Sequence, residues 1–219
     1  MSILFNGACY HQYPATGLPL AQAAKTVCMW LNLNNSAALQ TFINAVDPTL
    51  SIGYQVGVNA SNMTVWSFGG AALIQTPAPT LNTWVHLAYR FDGTTHAFLW
   101  SGVPASTSTT TPQSGQPTLC QVGGNQWSEY PRLAQVEDLR VYNRALTDNE
   151  LVSISSLQTQ DMIVSGLVAW WTMSEYVSGT VLDNVSEQLK ESYGLTSILV
   201  GNVPYPVAQD SPRFQRRMK

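Results

Sequence analysis

Charge is in short supply: only 11% of the 219 residues are Asp, Glu, Lys or Arg, where a soluble domain ordinarily carries roughly 25%. Cysteine is nearly absent. Cys9, Cys28 and Cys120 are odd in number, widely spaced and form no metal-binding pattern, so they read as free buried thiols. No apolar run approaches the roughly 18 residues of a membrane helix. The opening MSILFNGACYHQYP has no basic stretch followed by a long apolar core. It is therefore not read as a secretory signal, and synthesis in a cytosol is expected. Lys and Glu are too few, and aromatics at 10% too many, for a disordered chain or a coiled coil.

Neutral polarity stands where charge is missing: 20 Ser, 20 Thr, 13 Asn and 15 Gln. The four N-x-S/T sequons, at Asn34, Asn59, Asn62 and Asn184, are an expected product of that composition. The net charge of −3 is unevenly placed. Arg213, Arg216, Arg217 and Lys219 supply four of the ten basic residues, so residues 1–212 hold 6 basic against 13 acidic residues, or −7. A body this acidic is a poor partner for a phosphate backbone, which argues against nucleic-acid binding.

Strand patterns dominate. KTVCMWLNL (25–33) alternates Val27, Met29, Leu31 and Leu33 against Cys28 and Trp30, with apolar residues on both faces. LSIGYQVGVNA (50–60) and NMTVWSFGG (62–70) read as a hairpin. WVHLAYRF and THAFLWSGV form a second hairpin around the Asp92-Gly93 turn. Residues 105–118 contain almost nothing apolar and predict a surface loop. LCQVGG, LAQVEDLRVYN (133–143) and GLVAWWTMSEYVSGTVLDNVSE (166–187) restore strand character. One short helix is expected near 147–157, because Thr147 and Glu150 make a capping box. Many short strands with little helix predict an all-β sandwich.

TVCMWLN, LNTWVHLAYRFDGTTHAFLWSGV and VEDLRVYNRALTDNELVSI, in that order, resemble the laminin G-like members of the concanavalin A-like lectin/glucanase superfamily. The resemblance covers roughly residues 3–157 and implies a two-sheet antiparallel jelly roll. GLVAWWTMSEYVSGTVLDNVS looks like the strand that opens such domains, yet here it follows the closing helix. The expectation is one jelly roll over residues 1–200, in which 166–187 closes the sheet beside the strand that begins at Ile3. A domain-swapped closure of a neighbour's sheet is the alternative.

Four functional readings follow, three of them from the resemblance. Retaining glucanase chemistry needs two carboxylates about 5 Å apart. Here only Glu137 and Asp138 are close, and as adjacent strand residues they are expected on opposite faces. His11, His86 and His96 fall in no catalytic motif. Calcium, held in relatives by oxygen ligands from the opening and closing segments, would fall here to Glu137, Asp183 and Asn184. Glycan binding, which the fold carries on its concave face or loop rim, points to Asn125, Trp127 and Tyr130 in GGNQWSEYP. Trp66 and Trp100, within strands, are expected to pack.

The fourth reading comes from context. A laminin G-like domain with no signal peptide suits a phage particle, made in the host cytoplasm and released by lysis. The expected function is thus a non-enzymatic virion surface or capsid decoration protein, with glycan binding as an added role. A free carbohydrate-binding module and a glycan-active enzyme are the alternatives. Residues 201–219 carry three prolines and a basic end and read as an extended arm, with Tyr205, Arg213, Phe214, Arg216 and Arg217 as docking residues. The partners expected are further copies of the chain, as a trimer, and a major capsid or other virion protein.

Overall fold

The structure is a computed structural model that describes residues 3–6, 9–36, 39–59, 61–67, 71–124, 132–156, 163–177, 180–183 and 198–201. Two antiparallel sheets form a sandwich. The eight-stranded sheet runs β10 (Val103–Ser108), β9 (His96–Trp100), β8 (Trp84–Phe91), β3 (Lys25–Leu33), β12 (Arg132–Tyr142), β13 (Leu167–Val177) and β14 (Thr180–Asp183). Its eighth strand, β1 (Ile3–Asn6), pairs with β12. The seven-stranded sheet runs β15 (Ile198–Gly201), β2 (Cys9–Pro14), β11 (Leu119–Val122), β4 (Gln40–Asp47), β5 (Ile52–Asn59), β6 (Asn62–Ser67) and β7 (Ala72–Pro77). Among the described residues no helix is long and apolar enough to cross a membrane.

The two-residue period of a strand sorts the side chains. Val27, Met29, Leu31 and Leu33 of β3 meet Tyr54, Val56 and Val58 of β5 in the core between the sheets. The opposite parity of the larger sheet points outward. There Cys28, Ala88, Ala97, Leu99 and Tyr142 form a second core under helix α1 (Asp148–Ser155) through Leu146, Leu151 and Ile154. Thr147 caps this helix: its hydroxyl accepts from the Glu150 amide, and the Glu150 carboxylate accepts from the Thr147 amide. Arg144 then binds Glu150 through two hydrogen bonds of 3.0 and 2.6 Å.

The stretch 105–118, expected as a surface loop, begins instead as the edge strand β10, whose residues are mostly exposed. An edge strand needs one neighbour's backbone and no buried side chain, so composition alone hides it. The β8–β9 turn follows its sequence: Asp92 accepts from the Thr94 and Thr95 amides, and Gly93 takes a φ of 103°. In β13, Trp171 is the residue sealed in the core, while Trp170 faces outward and is half-buried.

One edge of β12 is occupied by β3 along most of its length. The other edge is shared end to end: β1 pairs with Arg132 to Val136, and β13 pairs with Leu139 to Tyr142. Between those stretches β12 bulges, so that Glu137 opposes Trp30 while Arg140 already opposes Cys28.

Gly57 lies where β5 passes close to the irregular register of β4, and a Cβ there would stand 1.9 Å from the Gln40 carbonyl oxygen. Gly57→Ala is expected to lower stability by about 1–3 kcal/mol through overpacking, read as a shift in urea midpoint.

Lys25 has the parity of the core residues, so its side chain enters the end of the sandwich. Its Nζ donates to the carbonyls of Ala21 (2.8 Å) and Ala23 (2.6 Å) and lies 5.1 and 4.9 Å from the rings of Tyr54 and Phe91. Burial pushes its pKa from the ordinary 10.5 down to about 7. Between those values the unfolded chain binds more protons than the folded one. Stability from this group is therefore complete above 10.5 and is lost as pH falls toward about 7. The stability difference between the wild type and Lys25→Met should shift in favour of the wild type as pH rises through that window. A difference independent of pH in urea titrations would contradict it.

Candidate functional site

The outer face of the eight-stranded sheet is divided. Helix α1 covers one corner, over Cys28, Ala88 and Leu99. The rest of the face carries Trp84 and His86 on β8, Trp30 and Asn32 on β3, Gln135, Glu137, Asp138 and Arg140 on β12, and Trp170 on β13. Register builds this face row by row. Gln135, Asn32 and Trp84 are cross-strand neighbours, and so are Glu137, Trp30 and His86. Trp170 stands opposite Arg140. Trp30, Asn32, Trp84 and Trp170 are half-buried, whereas His86, Glu137 and Asp138 are almost wholly buried.

The bulge decides the chemistry of this face. Simple alternation places Glu137 and Asp138 on opposite faces, and the structure corrects that expectation. Asp138 takes a left-handed φ of 56°, a conformation that Asp tolerates better than most residues. Its carboxylate then turns to the outer side, where Arg140 binds it through Nε (3.0 Å) and an Nη (2.9 Å). Trp170 donates Nε1–H to the same carboxylate at 2.6 Å, and the Arg140 guanidinium lies 5.1 Å from the Trp170 ring. Burial opposes the charge on Arg140, but the Asp138 carboxylate and its hydrogen bond, together with nearby Cys28 and Tyr142, outweigh it and hold the guanidinium above its ordinary pKa. An Asp so fully engaged is not a free acid or base.

Beside this pair lies an uncharged polar set. Trp30 and His86 meet edge to face, with centroids 5.6 Å apart. Burial pushes His86 down to about 4, with Asp138 opposing, so the ring is neutral near pH 7 and offers one donor and one acceptor. Both of its nitrogens are without a hydrogen-bond partner, as are Trp30 Nε1 and Asn32 Oδ1. Asn32 spends its Nδ2 on Gln135 at 3.1 Å. Two donors and two acceptors, all neutral, thus stand unmet at adjacent positions. A buried water, which donates and accepts at once, is their complement.

The other histidine with a described side chain is structural. His96 Nε2 faces the Thr110 carbonyl at 2.7 Å and must donate, which leaves Nδ1 to accept from the Tyr89 hydroxyl at 2.8 Å. Cys28 and Cys120 are buried, and burial raises the Cys28 thiol to about 12, which makes it unreactive. On the outer side of the smaller sheet, Asn44 Nδ2 donates to Gln121 (2.7 Å) and Gln121 Nε2 to Gln12 (3.3 Å), while Trp66 is buried, as its strand position suggested.

Of the residues expected from the sequence to bind glycan, Asn125, Trp127 and Tyr130 lie outside the described residues. So do Asn184 and the arm residues Tyr205, Arg213, Phe214, Arg216 and Arg217. Glu137 is described, and its cross-strand neighbours are Trp30 and, beyond it, His86. Calcium asks for six or more oxygens, which such a row does not supply, and Asp183 stands opposite Trp171 rather than beside Glu137. Among the described residues no group of three His, Cys, Asp or Glu could hold a metal ion.

A laminin G-like family model, described as the concanavalin A-like lectin/glucanases superfamily, matches residues 6–152. The chain belongs to this superfamily. Among solved structures, this lectin-like domain is similar to a heptameric SAP-like pentraxin of Limulus polyphemus (15% identity, TM-score 0.61, 91% of this chain and 94% of that one). It is also similar to a candidate carbohydrate-binding protein of Bacteroides ovatus (16%, 0.59), covering 95% of this chain but only 62% of that protein. A third is domain 4 of an extracellular arabinanase of Geobacillus stearothermophilus, solved with arabinotriose (18%, 0.55, 70% and 76%). At such identities the likeness is one of fold. No curated protein sequence matches the chain.

Arg140→Met leaves the Asp138 carboxylate buried without its cation and is expected to cost about 3–5 kcal/mol. Asp138→Asn combined with Arg140→Met should cost less than Arg140→Met alone, because no unpaired charge remains. Denaturant titration of the two variants measures the difference.

Proposed function

We propose that the domain binds carbohydrate on the outer face of its larger sheet and does not transform it. The observation that carries this reading is the row of half-buried, neutral side chains Trp84, Asn32, Trp30 and Trp170 on that face, laid over the buried and unmet Trp30 Nε1, Asn32 Oδ1 and His86 nitrogens. A sugar presents the same combination in reverse: hydroxyls that donate and accept, and an apolar ring face that packs on an indole. Charged ligands fit less well, because Arg140, the cation beside this set, is already paired with Asp138. That pairing also removes Asp138 from any two-carboxylate hydrolysis. The carbohydrate-binding neighbours lend the reading support at the level of fold.

A second reading concerns place. The separation of a −7 body from a four-charge basic end in residues 213–219 favours a decoration protein on a phage particle, made in host cytoplasm. Its copies would associate, and the arm would dock on an acidic virion surface. Mass spectrometry of purified particles tests it: stoichiometric retention that weakens with salt is expected, and absence from particles refutes it.

For carbohydrate binding, the folded protein should retain a defined subset of a glycan array. Trp30→Ala should weaken binding of the best hit about tenfold, and His86→Phe should weaken it with little change in fold. Trp66→Phe, on the other sheet, should leave affinity unchanged. A folded wild type that retains no glycan would overturn the reading.

A further inference from the structure

The three outward tryptophans of the larger sheet are not scattered. From Trp84 on β8 to Trp30 on β3 is one strand across and two residues along, since Trp84 opposes Asn32. From Trp30 to Trp170 is two strands across and one further row along, since Trp170 stands opposite Arg140, which opposes Cys28. With strands about 4.8 Å apart and about 3.3 Å per residue, these steps are roughly 8 and 12 Å and run in nearly one direction. The three indoles therefore mark a diagonal of roughly 20 Å across the sheet.

The surroundings follow the same line. Helix α1 and its apolar contacts occupy the corner on one side of the diagonal, over Ala88, Leu99, Cys28 and Tyr142. Beyond the Trp84 end lies an amide rim, where Asn34 Nδ2 donates to Asn82 Oδ1 at 2.7 Å on exposed side chains. Hydrogen-bonding groups lie along the track: Asn32 beside Trp84, the His86 pair at Trp30, then Glu137 and Arg140 before Trp170. Trp170 is locked by Asp138 and Arg140, so its ring orientation is set before any ligand arrives.

We propose that this face takes a linear, uncharged oligosaccharide of several units, laid along Trp84, Trp30 and Trp170, rather than a single sugar. The inference rests on the carbohydrate-binding reading of the face and adds the shape and charge of the ligand to it. A monosaccharide meets one indole and leaves the other two unused. A chain meets all three, and each stack adds to the last. Arg140, already paired with Asp138, offers no spare cation to a polyanionic chain.

The test titrates the full-length protein with ladders of glucose, xylose and arabinose oligomers from monosaccharide to hexasaccharide, followed by calorimetry. Affinity should climb about tenfold for each further tryptophan engaged and then level off. Trp84→Ala should flatten the climb and leave binding of the shortest bound oligomer unchanged, whereas Trp30→Ala should weaken every length. Should a variant fail to fold, N-bromosuccinimide oxidation of the wild type gives the same answer. Long oligomers should protect Trp84, Trp30 and Trp170 together, and short ones Trp30 alone, as read by peptide mass spectrometry. Binding that is equal at every length, or protection of one tryptophan only, overturns the track and leaves carbohydrate binding standing. Tighter binding of an oligogalacturonate ladder overturns the neutral-ligand assignment. Absence of binding across the ladders and a glycan array overturns both.

Discussion

Strand β12 serves three neighbours, and its bulge at Asp138 is what lets it do so. A regular strand would keep one phase along its length. The extra residue resets that phase, so Val136 and Leu139, three apart, both reach the core. It also falls where β1 gives way to β13 on the shared edge. The left-handed backbone at Asp138 carries a conformational cost of its own. The buried ion pair to Arg140 and the bond from Trp170 offset that cost and pin the bulge in place. Loss of this set would disturb the register of β13, the orientation of Trp170 and the outer face together.

That outer face shows what a low-charge sequence can do. A face built from Lys and Glu would offer solvated charges and long-range fields. This one offers indoles, amides and a neutral imidazole, with the local ion pair closed on itself. Such groups act only at contact and gain most where water is already excluded. The composition and the site therefore agree: both favour ligands recognised by shape and hydroxyl pattern. The smaller sheet uses amides differently, since Asn44, Gln121 and Gln12 bond mainly to one another.

The two ends of the larger sheet's outer face are also treated differently. Helix α1 seals one corner with Leu146, Leu151 and Ile154, and the Thr147–Glu150–Arg144 network fixes the helix where it lands. Past that corner the apolar cover stops and the tryptophans begin. A single capped turn of chain therefore decides which part of the sheet is core and which part faces a ligand.

Much of the fold was legible in the residues. Alternation marked β3, β5 and β8 as strands, Asp92-Gly93 marked a hairpin, and the capping box located α1, because each rests on local geometry. Part of the site was legible as well. In VCMWLNL the core parity belongs to Val27, Met29, Leu31 and Leu33, which already turns Trp30 outward. The spacing of Ala134 and Val136, then Leu139 and Val141, carries the one-residue slip of a bulge, although adjacency alone suggested that Glu137 and Asp138 diverge. What the sequence could not decide was juxtaposition. That Trp84, Trp30 and Trp170 lie on one diagonal depends on strand order and register between segments up to 140 residues apart (30 to 170). That β10 is a strand depends on a neighbour's backbone rather than on its own side chains. Periodicity is a property of one strand, whereas a site on a sheet belongs to several, and only tertiary pairing brings them side by side.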